Sequence, residues 1–305
     1  HILAEPQRTN TLTYSEDFSQ YSSSGTTPTL TTGQLAPDGT LGATKISGTI
    51  GSSVLWLPSV TSATDARSIY ARTVSGTGTA KLMSYFGNTN NTFNLTEEWQ
   101  RFELTSVTTT SGESNFYIDL RGSQTLSEFI VWGGQCEVGS YPTSYIPTNG
   151  EAGGVTRNQD IFTRDGIGSL INSTEGVLFV EIAALSDDLT YREISLSDGT
   201  STNRIEIRYA TSTNQIQAII RNGSYVLLHW NVSSTVDFNK IAFKWKTGDF
   251  ALWINGAERD TDTTAFVTSG LNRLAFDQGT TGNTFFGKVK QLQVYDTALT
   301  DEQLD

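Results

Sequence analysis

Few side chains in this sequence have the types and spacing that nucleophilic catalysis requires. The chain contains two histidines, His1 and His229, so a Ser–His–Asp site would have to use His229. That residue lies in the alternating segment 225–231, which predicts a strand histidine on the outer face of a sheet. No serine lies in the Gly-x-Ser-x-Gly pattern of a nucleophile elbow. The sequence therefore indicates no nucleophilic site.

Paired carboxylates are the second kind of chemistry to consider. Glycoside hydrolysis needs two carboxyl groups roughly 5–10 Å apart, and sandwich hydrolases usually carry them with the spacing Glu-x-Asp-x-x-Glu, which this sequence lacks. Glu193 and Glu206 lie on candidate strands, but Glu193 is isolated and Glu206 stands between Arg204 and Arg208. The pattern predicts solvated ion pairs. We therefore expect no enzymatic activity, with a depolymerase that uses an unrecognised carboxylate pair as an alternative.

The aromatic residues offer a binding chemistry instead. Sugars present flat C–H faces on which indole and phenol rings stack while polar neighbours bond the hydroxyls. Among the six tryptophans, Trp245 and Trp230 share the parity of neighbouring aliphatic residues, which predicts both for a core. Trp56, between Leu55 and Leu57, is a candidate ligand-binding residue whose direction the pattern leaves open.

Trp253 is the strongest candidate. The pattern places Phe250, Leu252 and Ile254 on the inner face of the sheet, so Trp253, at an alternate position of the same strand, points outward. Phe179 and Glu181 share an outward parity on another strand and are predicted to join it in ligand binding. Three explanations for an outward Trp253 stay open: a ligand platform, a contact with a neighbouring subunit, and cover by loops of its own domain.

Composition sets the limits within which these residues act. The chain has 305 residues, with 20 Lys and Arg against 32 Asp and Glu, a net charge of −12. The acid is spread evenly and no basic block exists, which excludes a nucleic-acid binder that tracks phosphates. No apolar run approaches the ~20 residues of a membrane-spanning helix, so no membrane insertion is expected. The chain starts at His1 without a signal peptide, and we expect a piece of a longer or processed protein.

The elements that must position these residues are strands. Segment 203–209 alternates, with Ile205, Ile207 and Tyr209 on one face. Segment 250–254 ends in the turn pair Asn255-Gly256, and only 297–304 reads as a short helical turn. The expected fold class is all-β, with two antiparallel β-sandwich (jelly-roll) domains in tandem. We place the boundary near 150, giving domains 1–150 and 151–305, because the Pro- and Gly-rich stretch 141–154 reads as a linker or strand exit.

Each half of the chain also carries a family resemblance. The first half resembles the carbohydrate-binding-module-like jelly roll common in bacteriophage tail and fibre proteins, on the opening segments 8–10, 14–18 and 36–40 and the closing segments 132–137, 139–148 and 155–157. The closing match is long and specific, although it carries Cys136 where a hydrophobic residue is usual. A buried, small apolar thiol accounts for that difference.

The second half resembles laminin-G or pentraxin-type concanavalin A-like domains of phage structural proteins, on segments 175–179, 197–200, 238–242, 250–256 and 287–302. Such domains often hold calcium with loop Asp and Asn side chains. Here no loop spacing nominates a site, so we expect no cofactor, with Ca²⁺ as an open alternative. The fold hosts lectins, enzymes and inert spacers, so the resemblance implies no particular ligand.

Together these observations favour a non-catalytic adhesin on a phage tail fibre or related virion appendage, exposed outside the cell. Its expected partners are a glycan of the host cell surface and other virion proteins. Weak stacking contacts would become effective through multivalency, so a homo-oligomer, such as a trimer, is expected. The main alternative is a structural decoration or spacer of the virion without a ligand.

Overall fold

The computed structural model describes residues 1–58, 65–88, 90–107 and 115–305. The chain divides into two units. The N-terminal unit is Gln7–Asn158, and the C-terminal unit combines His1–Pro6 with Gln159–Asp305. The chain therefore starts in the C-terminal unit, builds the whole N-terminal unit, and then returns.

Strand β1 (Ile2–Ala4) belongs to the C-terminal unit. The strands of the N-terminal unit are β2 (Arg8–Asn10), β3 (Ser22–Ser24), β4 (Thr29–Gln34), β5 (Ala43–Ser47), β6 (Val54–Pro58), β7 (Asp65–Arg72), β8 (Gly78–Lys81), β9 (Thr92–Leu95), β10 (Gln100–Val107), β11 (Asn115–Asp119), β12 (Glu128–Val138) and β13 (Val155–Arg157). They form a five-stranded sheet in the order β10-β7-β12-β5-β4, a three-stranded sheet in the order β11-β6-β3, and two strand pairs, β13-β2 and β8-β9. All of these strand pairs are antiparallel.

The C-terminal unit consists of two six-stranded antiparallel sheets. Besides β1, its elements are β14 (Thr163–Arg164), β15 (Glu175–Ala184), β16 (Arg192–Ser197), β17 (Asn203–Tyr209), β18 (Gln215–Asn222), β19 (Ser224–Asn231), β20 (Asn239–Lys246), β21 (Phe250–Ile254), β22 (Glu258–Asp262), β23 (Arg273–Ala275), β24 (Gly287–Tyr295) and the helix α1 (Asp301–Leu304). We call β1-β24-β15-β20-β21-β22 the front sheet and β14-β23-β16-β17-β18-β19 the back sheet.

Strand alternation builds the core of the C-terminal unit. Ile205 and Ile207 of the back sheet and Leu252 and Ile254 of the front sheet belong to one buried apolar cluster. Each inner face therefore packs against the other, as in a β-sandwich. Trp245 is also fully buried in this cluster, which confirms its prediction as a core residue, and the all-β fold class is confirmed as well.

The hairpin between β21 and β22 has the predicted turn. Asn255 and Gly256 both have positive φ, of 55° and 74°, and Ile254 and Ala257 exchange backbone hydrogen bonds. Asn and Gly tolerate this left-handed conformation, which a tight hairpin needs at both central positions. The turn fixes the register that brings Trp253 into its place on the front sheet.

The units differ from the expected domains 1–150 and 151–305, because the N-terminal unit ends at Asn158 and the first six residues of the chain belong to the C-terminal unit. The segment 141–148, predicted as part of a linker or strand exit, is packed into the N-terminal unit, where Tyr141, Thr143 and Ile146 are buried. Glu137 accepts hydrogen bonds from the backbone N and Oγ1 of Thr143, at 2.7 and 2.6 Å. The prolines and glycines there shape an irregular segment that packs closely. The chain leaves this unit after β13, which pairs with β2.

The start of the chain also departs from the expected domains. Strand β1 pairs with β24 of the front sheet, and the backbone N of Glu5 donates to Asp160 Oδ2 at 2.9 Å. The backbone N of Asp160 donates in turn to the carbonyl of Glu5 at 2.9 Å. The outgoing and returning segments of the chain are thereby joined within the C-terminal unit. In the described residues, no helix has the length and apolar character needed to span a membrane.

Candidate functional site

The outer face of the front sheet carries a cavity of about 590 Å³. We call it the outer hollow; among its lining residues are Phe179, Glu181, Ala242, Trp253 and Tyr295. Three of the four residues named by the sequence as ligand-binding candidates, Trp253, Phe179 and Glu181, thus line one cavity. Outward parity, which selected them, is what brings them to one face.

Cross-strand register orders these side chains in rows. Phe179 lies opposite Gln293 of β24 on one side and opposite Ala242 of β20 on the other, and Ala242 in turn faces Trp253 of β21. The small Ala242 therefore stands between two large aromatic side chains. Directly opposed side chains on one face are about 5 Å apart, so this alanine leaves a depression between the two rings.

A second row supplies polar groups. Glu181 faces Lys240 on β20 and Gln291 on β24, and all three line the outer hollow. Carboxylate, ammonium and amide groups together provide both donors and acceptors. An aromatic row beside a row of mixed donors and acceptors is suited to a ligand that has flat C–H faces and hydroxyl groups.

A β-bulge on β24 adds a cation to this face. The register with β15 shifts between Glu181 and Ile182, which face Gln291 and Val289, so Lys290 is the extra residue. Its Nζ lies 3.1 Å from Glu181 Oε1 and 3.8 Å from the centroid of the Phe238 ring. Bulges commonly re-aim a side chain in this way. Sequence reasoning missed Lys290, although the adjacent polar pair Lys290-Gln291 interrupts the alternation of the strand.

The C-terminal helix covers part of the hollow. Leu299 and Leu304 pack against the small outer cluster of Val177, Ala242, Ala251 and Trp253. Trp253 is consequently only 9% exposed. Its outward direction is as predicted, but of the three explanations the structure shows the third, cover by its own domain. Trp253 forms part of the lining and is not an exposed platform.

One ion pair fixes the position of this helix. Lys244 Nζ lies 3.3 Å from Asp301 of α1 and 3.0 Å from Asp249 of the β20–β21 turn. Burial works against the charge of Lys244, but hydrogen bonds to the two aspartates outweigh it and raise the pKa of this lysine. The ammonium therefore stays charged and ties the helix to the sheet beside Trp253.

Trp56, the fourth candidate, is separate from the other three because it belongs to the N-terminal unit. It lies on β6 opposite Tyr117 of β11 and Ser22 of β3. Its neighbours Leu55 and Leu57 belong to the buried core of that unit, whereas Trp56 is half-buried. Its side chain therefore lies on the outer face of the three-stranded sheet, which resolves the direction that the sequence left open.

The outer face of the back sheet contains a carboxylate pair that the sequence did not reveal. Glu193 of β16 and Glu206 of β17 are both fully buried. Arg208 Nη1 lies 3.1 Å from Glu193 Oε1 and 3.2 Å from Glu206 Oε1, and Arg204 Nε also donates to Glu206. The expectation of solvated ion pairs is therefore wrong, because strand pairing brings two distant carboxylates into one buried network.

This network perturbs one of its members strongly. Burial, followed by the charge of Glu206 and a hydrogen bond with it, raises the pKa of Glu193 from its usual 4.5 to about 7, while Arg208 and Arg204 act in the opposite direction. Asn283 Nδ2 donates to Glu193 Oε1 at 2.9 Å, and the Arg208 guanidinium stacks 4.0 Å from the ring of Tyr191. Glu193 and Glu206 are thus buried within a network of arginine and asparagine side chains.

Trp230 also lies in an environment that differs from its prediction. It shares the parity of the buried Val226 and Leu228, yet it is 41% exposed, so its prediction as a core residue is wrong. In the part of the chain that the structure describes, no group of three or more His, Cys, Asp or Glu side chains is arranged to hold a metal ion. The loop aspartates considered for Ca²⁺ thus have no such grouping within those residues.

Comparison with known proteins supports the fold of the second half. Residues 181–305 match the family model Laminin_G_3, described as the concanavalin A-like lectin/glucanases superfamily. No curated protein matches the chain significantly.

The chain also matches parts of several solved structures. One is the CBM40 of the Ruminococcus gnavus IT-sialidase, with 18% identity over 47% of this chain and 96% of that chain, and a TM-score of 0.39. Another is domain 4 of an arabinanase from Geobacillus stearothermophilus, with 17% identity over 48% and 79% of the two chains and a TM-score of 0.39. A pentraxin from Limulus polyphemus has 15% identity over 43% and 68%, with a TM-score of 0.36.

Proposed function

We propose that the protein is a non-catalytic adhesin that binds glycans in the outer hollow of its C-terminal unit. The observation that carries this proposal is the convergence, on one face of one sheet, of aromatic rings with amide and charged groups around a cavity of about 590 Å³. Sites of this size and mixed lining are typical of small-ligand binding. The match of this region to a superfamily of lectins and glucanases agrees with the proposal.

The ligand we propose is a glycan of a host cell surface. The net charge of −12 disfavours polyanions, and the row of Glu181, Lys240 and Gln291 offers donors and acceptors to hydroxyl groups. The hollow is broad and partly open, so a single site would bind weakly. Several copies on one particle would raise the effective concentration without new contacts, which fits a homo-oligomer on a virion appendage.

The phage tail or fibre setting rests on the sequence resemblances, above all on segments 132–137 and 139–148. In that setting the protein would be extracellular and would contact other virion proteins. A structural spacer without a ligand is the competing proposal, and an absence of glycan binding would favour it.

The test is a glycan array, followed by titration calorimetry with any glycan that binds. We expect Tyr295→Ala to raise the dissociation constant at least about tenfold, because it removes an aromatic rim of the hollow worth on the order of 1.4 kcal/mol or more. Tyr225→Ala is the matched control, because Tyr225 is an exposed aromatic residue of the same unit that lies on the back sheet. Equal binding by both variants, or binding of no glycan, would contradict the proposal.

The buried carboxylates justify a second candidate, a glycan hydrolase that uses Glu193 and Glu206. A carboxyl group with a raised pKa beside a second carboxylate is the usual combination of acid and nucleophile in such enzymes. Against it, both groups are buried and held by arginines. Release of oligosaccharides from host polysaccharide, lost in Glu206→Gln, would favour the enzyme over the adhesin.

A further inference from the structure

The open edge of the C-terminal unit, between β19 of the back sheet and β22 of the front sheet, contains another, smaller cavity. Its volume is about 380 Å³, and it is lined by His229, Trp230, Asn231, Arg259 and Asp260. Both strands are the last in their sheets, so this cavity lies where the sandwich opens to solvent. None of the lining residues belongs to the outer hollow.

The exposure of Trp230 has a structural cause. Its parity directs it between the two sheets, opposite Ile216 on β18, but the strand that faces it there is β22, whose sequence Glu-Arg-Asp-Thr-Asp contains no apolar residue. Strand β22 therefore offers the indole no apolar side chain, and Trp230 is 41% exposed. Leaving so large an apolar surface in water is unfavourable, and an apolar ligand surface would relieve it.

A β-bulge places a donor beside the exposed indole. The register between β21 and β22 shifts where Leu252 faces Asp260 and Trp253 faces Glu258, so Arg259 is the extra residue of β22. Its guanidinium lies 5.4 Å from the centroid of the Trp230 ring. Bulges are frequent beside binding sites, where they turn a side chain out of the alternating pattern. The bulge on β24 turns Lys290 in the same way, toward Glu181 of the outer hollow.

The acceptor of the site is held in place by the backbone. The N–H of His229 donates to Asp260 Oδ2 at 2.9 Å, which joins β19 to β22. Asn231 is fixed by its neighbours, because its Oδ1 accepts from Gln215 Nε2 at 3.3 Å and its Nδ2 donates to the carbonyl of Thr213 at 3.1 Å. A carboxylate and a guanidinium thus stand beside one flat ring on ordered strands.

We infer that this edge is a second saccharide site, which binds one neutral pyranose unit by stacking on Trp230. Arg259 would donate to one hydroxyl group and Asp260 would accept from another. The carboxylates of Glu258, Asp260 and Asp262 on the same strand disfavour acidic sugars, which selects the neutral class. The inference shares its ligand chemistry with the proposed function but rests on a different surface, so each chain would carry two independent glycan contacts.

Nuclear magnetic resonance of the indole N–H groups of the full chain tests this inference. Trp230→Phe identifies the resonance of Trp230 among the six tryptophans. The probes are the methyl glycosides of glucose, galactose, mannose and N-acetylglucosamine up to ~100 mM, well above the millimolar dissociation constant of a shallow site. We expect at least one glycoside to shift the Trp230 resonance saturably, and Arg259→Ala to weaken that binding at least about fivefold. Tyr225→Ala, on the same strand but outside the cavity, should bind normally.

The inference is overturned if no glycoside shifts the Trp230 resonance, or if Arg259→Ala binds as tightly as the unaltered protein. The same spectra distinguish the two proposals, because binding of a glycoside in the outer hollow should shift the resonance of Trp253, which lines that cavity. A saturable shift of Trp230 that persists in Tyr295→Ala supports this edge site, whatever the fate of the hollow. A shift of Trp253 alone supports only the hollow.

Discussion

The two outer faces of the C-terminal unit are built on the same strand alternation, but one is open and the other is filled. On the front sheet, Ala242 stands between Phe179 and Trp253, and a hollow of about 590 Å³ remains. On the back sheet, the corresponding outward positions hold long charged side chains such as Arg204 and Glu206, which pair with one another and are buried. The comparison teaches that alternation decides which residues share a face, whereas side-chain size and charge pairing decide whether that face can receive a ligand.

Breaking an ion pair on each face should give the largest difference between them. Glu206→Gln leaves Arg204 and Arg208 buried with only Glu193 to neutralise them, and removing one partner of a buried pair costs about 3–5 kcal/mol. Glu181→Gln on the front face removes only the partly exposed pair with Lys290 and should cost less than about 1 kcal/mol. Urea unfolding followed by circular dichroism measures both.

Equal losses of unfolding free energy in the two variants would contradict the distinction between a closed and an open face. Arg208→Met provides a second measurement from the opposite side of the network. It removes a cation that bonds both Glu193 and Glu206, and we expect a loss of similar size to that of Glu206→Gln.

The next effect is a dependence of stability on pH that belongs to the back face. The folded state binds a proton on Glu193 more tightly than the unfolded chain, because its pKa is raised from 4.5 to about 7. The resulting stabilisation is fully present below about pH 4.5 and is lost as the pH rises through 7, and it amounts to at most about 3 kcal/mol. Urea midpoints between pH 4.5 and 8 measure it, and Glu193→Gln should lose this part of the dependence.

The smallest effect concerns the cover of the front face. Leu304 is partly buried against the cluster that contains Trp253, so Leu304→Ala should destabilise the docked helix by about 1 kcal/mol. Hydrogen exchange of the amides of α1 should become faster, with the global unfolding free energy nearly unchanged. Glu302→Ala, an exposed position of the same helix, is the control. Unchanged exchange in Leu304→Ala would show that the helix is held mainly by the Lys244–Asp301 pair.

Alternation in the sequence was sufficient to predict the sandwich and part of the outer hollow. The inner faces of β17 and β21, the turn at Asn255-Gly256 and the outward direction of Trp253 all depend on neighbours within a few residues. These features are local, because successive side chains of a strand point to opposite faces. The sequence contains them directly.

The remaining features depend on partners far away in the sequence. Trp230 has core parity, but the strand opposite it is polar. Glu193 and Glu206 meet only because β16 pairs with β17 in one particular register. The bulge that adds Lys290 appears in the sequence as a small break in alternation, whereas β22, which carries Arg259, is polar throughout and has no alternation to break. For both bulges, only the pairing with the neighbouring strand identifies the extra residue.

The return of the chain to its first sheet has a mechanical consequence. Strand β1 pairs with β24, and Glu5 and Asp160 are joined by two hydrogen bonds, so a pull applied between His1 and Asp305 loads the C-terminal unit first. The N-terminal unit lies outside the path of that force until β1 is stripped from β24. Under tension between those two points, the first contacts to break are therefore expected within the unit that carries the outer hollow.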